Sequence, residues 1–141
     1  MNQPTKRGTT THVAPAADET RLGVGATTVL ALLVPGAGHA SHGQTSKAVT
    51  FFVVLMLMFA LGLMFGGRLF PFQMSDPLVF LAAVAEWAMG IPRLVAAAAG
   101  LGAGRVVADT YEYGNSFLIT AGLLNLLVVL DARDLAAGRK S

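Results

Sequence analysis

Two pairs of side chains in this chain have the types and spacing of metal ligands. His39 and His42 lie in LVPGAGHASHGQTSK, residues 33–47, and stand three apart, so a single helical turn would put both imidazoles on one face. Asp109 and Glu112, in RVVADTYEYGN, repeat that spacing. Two imidazoles and two carboxylates would suit a first-row divalent metal. The H-x-x-H spacing alone does not bring the two segments together, so no metal and no cofactor is expected. The leading reading of the first segment is a turn at the membrane surface. Pro35 ends a helix, Gly36, Gly38 and Gly43 give the backbone freedom that a tight turn requires, and His39 meets water and headgroups.

Glu86, Arg93 and Asn125 are more demanding, because they stand inside long apolar runs. A charge in the hydrocarbon is costly and normally faces a bundle interior with a partner. Seven residues apart, Glu86 and Arg93 point the same way from a helix, about 10 Å apart along its axis, and could reach toward each other across Gly90. A structural ion pair is the expected role, and a proton or ion relay through Glu86 the functional alternative. Asn125, among leucines, is expected to hydrogen-bond to a neighbouring helix.

The elements that would carry these groups follow from composition. Of 141 residues, 54% are hydrophobic and only 13% charged, about half the usual charged share of a soluble protein, and the charges cluster in short zones. That pattern is a multi-pass, all-α integral membrane protein. No basic stripe with interleaved aromatics appears, which excludes nucleic-acid binding. With no cysteine, disulfides and thiolate metal sites are excluded too. Residues 1–20, with His12, are polar and without periodicity and read as a disordered tail ahead of a membrane domain at 21–138.

Four spans are expected, at about 22–38, 48–65, 78–104 and 116–137. The first is short, about 25 Å as a helix against a hydrocarbon core of about 30 Å, and Gly38-His39-Ala40 loosely resembles a signal-cleavage site. The second has eighteen residues without a charge, Ser46 as a suitable N-cap and Gly66-Gly67 as a stop. Asp76-Pro77 is a cap-and-start signal for the third, which is expected to kink at Pro92. The fourth should emerge near Asp131 and end at Gly138. Gly62 with Gly66 and Gly100 with Gly104 have the spacing of close helix contacts.

The basic residues orient this arrangement. Four spans with both termini cytoplasmic put Lys6, Arg7, Arg21, Arg68, Arg133, Arg139 and Lys140 inside and Lys47 and Arg105 outside, seven against two, with Arg93 in a span. If the first run is re-entrant the count is five against four, and if the third splits into two spans it is five against five. Four spans therefore set the expectation, with the histidine hairpin and the Tyr111–Tyr113 linker both on the outer face.

Pro35-Gly36-Ala37-Gly38-His39, with Gly43 and Lys47 following, resembles the hairpin of the two-transmembrane-helix domain proteins. The stretch from about 22 to 140 resembles an uncharacterised family of small multi-pass bacterial membrane proteins, a domain of unknown function, through PGAGH, GGRLFP, TYEYG followed by FL, AGLLNLLVVLDA and a closing GRK. The resemblance implies a bacterial inner-membrane location and four helices, and no activity. Such hairpins usually carry an aromatic pair after the His, where this chain has Ala40, Ser41 and His42.

The expected function is non-enzymatic: a structural, assembly or interaction component whose partners are the bilayer and a homo-oligomer or heteromeric membrane complex. The alternatives are a minimal transporter or channel-like subunit using Glu86, Arg93 and Asn125, and lastly a metal-dependent membrane enzyme.

Overall fold

Residues 22–140 are described by a computed structural model of the chain, so the expected disordered tail and His12 lie outside the described residues. Six helices follow one another: α1 Val24–Leu33, α2 Ala37–Ala40, α3 Thr45–Met64, α4 Pro77–Trp87, α5 Ile91–Ala98 and α6 Tyr111–Ala136. Among the described residues the only β pairing is one isolated bridge between Arg68 and Ala103.

α3 and α6, with 20 and 26 residues, are long and apolar enough to cross a membrane. At ~1.5 Å per residue α3 is about 30 Å long, the thickness of the hydrocarbon core. They run antiparallel and pack closely because Gly62 and Gly114 meet where the helices cross, with Leu118 lying over Gly62. One end of the pair holds His39, the start of α3 and Asp131. The opposite end holds Arg68, the end of α3 and the start of α6, where Thr110 Oγ1 donates to Phe65 O (2.8 Å) and Arg105 Nη2 to Met64 O (3.0 Å). Those two donors satisfy carbonyls that a helix C-terminus leaves unpaired. We call these the His39 end and the Arg68 end.

The first apolar run differs from the expected span. Only ten residues are helical, about 15 Å. α1 starts at the His39 end, where Thr27 and Ala31 pack with Gly38 and Ala132, and runs inward until Leu32 and Leu33 reach Gly90. Pro35 and Gly36 then reverse the chain. Gly36 sits at φ 80°, and a Cβ there would collide with the Ala48 carbonyl, so only glycine permits the turn to pack on α3. α2 carries the chain back out to His39.

The third run is built the same way from the other end. Asp76 caps α4 as expected, its Oδ1 accepting from the N–H groups of Leu78 (3.0 Å) and Val79 (3.3 Å), with Pro77 at the start. α4 passes inward to Ala88, and the chain then bends by 106° into α5. The break lies at Ala88 to Gly90, not at Pro92, which instead lies in the first turn of α5. Residues beyond α5 return to the Arg68 end, where Leu69 N–H donates to Gly102 O (2.8 Å) and Arg105 N–H to Gly66 O (2.9 Å).

Each half of the chain is thus a short helix, a reversal, a shorter helix and one long helix. A single long helix per half inverts the second half relative to the first. α1 and α4 come from opposite ends and meet at their C-termini beside α6, which packs against both. Two helices long and apolar enough to span, or three if the bent pair counts as one span, make this a membrane protein.

A candidate site where two half-helices meet

Asn125 lies midway along α6 and is fully buried. Its Nδ2 donates to Ala88 O (2.6 Å) and to Ala31 O (3.5 Å). Both carbonyls face the same local problem. In a continuing helix Ala31 O would be met by the N–H of residue 35 and Ala88 O by that of residue 92; both positions are proline, which has no N–H. One amide therefore supplies, from outside, the donors that Pro35 and Pro92 withhold. Unsatisfied backbone carbonyls cannot be left in hydrocarbon, and a side chain from a neighbouring helix is one way of meeting them. Asn125 was expected to bond a neighbouring helix; it bonds two.

Gly90 closes the junction. At φ 63° and ψ −124° it turns α4 into α5, and its Cα faces the end of α1, where a Cβ would collide with Leu32 O and stand 2.7 Å from Leu33 O. Gly122, one turn of α6 before Asn125, lets the Ala85 carbonyl of α4 lie directly on the helix backbone. The junction is sealed by backbone against backbone.

Glu86 and Arg93 are both buried and do converge, with Nε 4.0 Å from Oε2. That approach is at the outer limit of an ion pair. The shorter bonds go to the connector between α3 and α4: Glu86 Oε2 accepts from Phe70 N–H (2.8 Å), and Arg93 Nη2 donates to Phe70 O (2.8 Å). The guanidinium also lies over the Trp87 ring, 4.4 Å from its centroid, and Trp87 stacks on Phe72. The pair is a clamp, one arm from α4 and one from α5, that holds both backbone polar groups of Phe70 in the connector. Glu86 Oε1 and Arg93 Nε have no hydrogen-bond partner among the described residues.

The clamp alters the outcome expected of substitutions. Glu86→Gln or Arg93→Met alone leaves a buried charge uncompensated, which typically costs about 3–5 kcal/mol. In a simple ion pair the double substitution would recover most of that loss. Here Arg93→Met also removes the donor to Phe70 O, whereas the amide oxygen of Glu86→Gln can still accept from Phe70 N–H, so the double variant should recover only part of the loss in a thermal-denaturation cycle. Full recovery would show that the Arg93–Phe70 bond contributes nothing.

The metal candidates are separated. His39 and His42 stand at the His39 end, and Asp109 and Glu112 at the Arg68 end, so the expectation that they share one face is corrected. The intervening α3 crosses once, where four spans would have returned the chain. Among the described residues no three metal-binding side chains cluster. His39 is buried, with Nε2 2.9 Å from Asp131 Oδ2 and its ring edge-on to Phe51. Asp131 is also bonded by Lys140 of the C-terminal segment, and that bond raises the lysine pKa. His42 Nδ1 lies 3.1 Å from Gly38 O and 3.1 Å from Ser41 Oγ.

The remaining hairpin residues are structural. Pro35 and Gly38 are buried, the latter between Ala31 and Ala132, and Gly43 turns the chain at φ 76°. Ser46 is not the cap of α3; Gln44 holds that position without a side-chain bond. Gly62 and Gly104 meet residues of their own chain, while Gly100 faces open space.

Four contributors were not anticipated. Asp131 and Lys140 complete the His39 contact, Asn115 Oδ1 accepts from Arg68 N–H (2.8 Å), and Gly122 admits α4. A signal for the junction does exist in the sequence. Ala31-Leu-Leu-Val-Pro35 and Ala88-Met-Gly-Ile-Pro92 share the form Ala-x-x-β-branched-Pro, each ending a short apolar helix.

A protein-family model described as a family of unknown function (DUF6677) matches residues 26–141, which takes in all of α2 to α6 and most of α1. Neither curated proteins nor solved structures gave a match.

Proposed function

The chain belongs to DUF6677, a family of unknown function, and we propose that it acts as a non-enzymatic component of the bacterial inner membrane, structural, assembling or interacting in role. The observation that carries this reading is the use made of the intramembrane polar groups. Asn125 ties the ends of α1 and α4, and Glu86 with Arg93 ties the connector through Phe70. They bond backbone instead of lining an open passage. The surfaces left for other molecules are apolar and face outward, as along α3, where Val49, Phe52, Val53 and Leu57 are exposed.

In this reading the chain crosses twice, through α3 and α6, and carries two re-entrant hairpins, α1–α2 from the His39 end and α4–α5 from the Arg68 end. The first and last described residues share the His39 end with Lys47. Among the described residues that end takes Lys47, Arg133, Arg139 and Lys140, against Arg68 and Arg105 at the other, four to two. The positive-inside rule then makes the His39 end cytoplasmic. Tyr113, exposed at the start of α6, falls at the opposite headgroup level.

One observation favours a second reading, a minimal transporter or channel-like subunit. Opposed half-helices that meet at mid-depth within inverted halves are a ground plan of transporters, and half-helix C-termini suit cations. Against it stands the backbone seal at Gly90. Purified full-length protein in liposomes decides between them. The leading reading expects proton and potassium flux no greater than in empty vesicles, and cross-linking along α3 in cells to capture a fixed partner, another copy included. Flux lost in Glu86→Gln would overturn it.

A further inference from the structure

A cleft opens between α4 and α6 at the Arg68 end. The two helices lie backbone against backbone at Ala85 and Gly122, and toward that end they stand apart around a cavity of about 270 Å³ that Phe70 also lines. Glu112, Asn115 and Ser116 of α6 line its polar side, facing Leu78 and Val79 of α4. Leu78, Ala82 and Ile119 also line a second, apolar cavity of about 590 Å³, which continues along the same two helices to Leu123 and Leu126. Glu112, Ser116, Ile119, Leu123 and Leu126 recur at helical spacing, so the carboxylate and the apolar side chains share one stripe of α6.

We propose that this cleft binds a phospholipid with a primary ammonium headgroup, of the phosphatidylethanolamine class, from the leaflet at the Arg68 end. Glu112 takes the ammonium, and the groove between α4 and α6 takes an acyl chain. The inference goes beyond the reading above and needs only that α6 spans a membrane.

Charge selects the headgroup. Glu112 is exposed on the first turn of α6, lines the cleft itself and makes no ion pair among the described residues. No basic side chain lines either cavity, and Arg105 of the same end donates to Met64 O. Asp76 is occupied by the N–H groups that start α4. Among the described residues Asp76, Asp109 and Glu112 outnumber Arg68 and Arg105 at this end, so an anionic headgroup is disfavoured there. An ammonium brings one positive charge and three donors to a carboxylate that only accepts.

Shape selects an amphiphile over a protein partner. Because α4 closes onto α6 at Ala85 and Gly122, a helix about 10 Å across cannot follow the cleft inward. A headgroup held at the wide mouth can trail a chain along the narrow part. Depth agrees with this. Leu126 lies fourteen residues after Glu112, about 21 Å along the helix, and one leaflet with its headgroup layer is about 20–22 Å deep.

The test uses purified full-length protein in a neutral detergent, titrated with dioleoyl phosphatidylethanolamine or dioleoyl phosphatidylglycerol and read by native mass spectrometry. The ethanolamine lipid should bind about threefold tighter, the size of an exposed carboxylate–ammonium contact. Glu112→Gln should bring the two lipids to parity, and Glu112→Lys should invert the preference. Asp109→Asn, at a carboxylate of the same end that does not line the cleft, should leave the preference unchanged. Ala82→Phe from α4 and Ser116→Phe from the exposed face of α6 should each weaken both lipids by filling the cleft. Phosphoethanolamine, which lacks the chains, should not displace the lipid. Equal affinities in the parent protein, a preference that survives Glu112→Gln or Glu112→Lys, or one lost equally in Asp109→Asn would each overturn the proposal. So would parental binding in both phenylalanine variants, or displacement by phosphoethanolamine.

Discussion

Gly122→Ala should prevent the folded protein from accumulating in the membrane. Overpacking a core usually costs about 1–3 kcal/mol, because neighbouring side chains can shift to make room. At Gly122 the neighbour is the Ala85 carbonyl of α4, and the added carbon would lie well inside van der Waals contact with it. Ala85 stands one residue before Glu86, so moving α4 also disturbs the Phe70 clamp and the Ala88–Asn125 bond. No local adjustment relieves the collision. Gly25→Ala is the control, since nothing lies within 4 Å of the position a Cβ would take there, and alanine in a helix is favoured over glycine by up to about 1 kcal/mol. Membrane yield of the two variants, measured side by side, should fall to background for Gly122→Ala and hold or rise for Gly25→Ala. Normal yield of Gly122→Ala would mean that α4 does not lie on α6 as described.

Asn125→Leu should cost about 2–6 kcal/mol, from roughly 1–3 kcal/mol for each of the two buried acceptors left unmet. Polar contacts between membrane helices often contribute less, near 0.6 kcal/mol, because their groups find other partners on unfolding. Ala31 O and Ala88 O have no such alternative, since the residues that would supply their N–H groups are Pro35 and Pro92. The loss should be visible as a lower melting temperature in detergent, and Asn125→Gln should recover part of it through its longer amide. A leucine variant as stable as the parent would remove Asn125 from its structural role.

Several elements were legible because local chemistry decides them. The uncharged run that became α3, the Asp76-Pro77 start of α4 and the Gly138 stop after α6 each rest on residues whose preferences do not depend on the rest of the chain. The reversals did not show. Hydropathy reports that a segment lies in hydrocarbon and carries nothing about whether it continues or turns back, so 22–38 and 78–104 looked like spans. Charge does not separate the two arrangements. Two crossings with two hairpins exchange only Lys47 and Arg68 between the faces relative to four crossings, and among the described residues both give four against two. Pro35-Gly36 and Gly90-x-Pro92 marked the reversals, but each pattern also fits a helix end or a kink.

The site was legible in its members and not in its partners. Glu86, Arg93 and Asn125 announced themselves as polar groups among apolar ones, and each is buried. Their bonds go to the backbone of Phe70, Ala31 and Ala88, and a backbone acceptor has no sequence signature. The His39–Asp131 contact joins residues 92 apart, a distance at which spacing carries no information.

Sidedness tests the central claim, two crossings and two opposed re-entrant hairpins, most directly. The chain has no cysteine, so single-cysteine variants report without background. Gln44→Cys and Arg139→Cys should react with a membrane-impermeant maleimide from one face of intact cells or inverted vesicles, and Met74→Cys and Asp109→Cys only from the other. Labelling of residue 44 from the same face as residue 109, and opposite to 139, would contradict the account and restore four crossings.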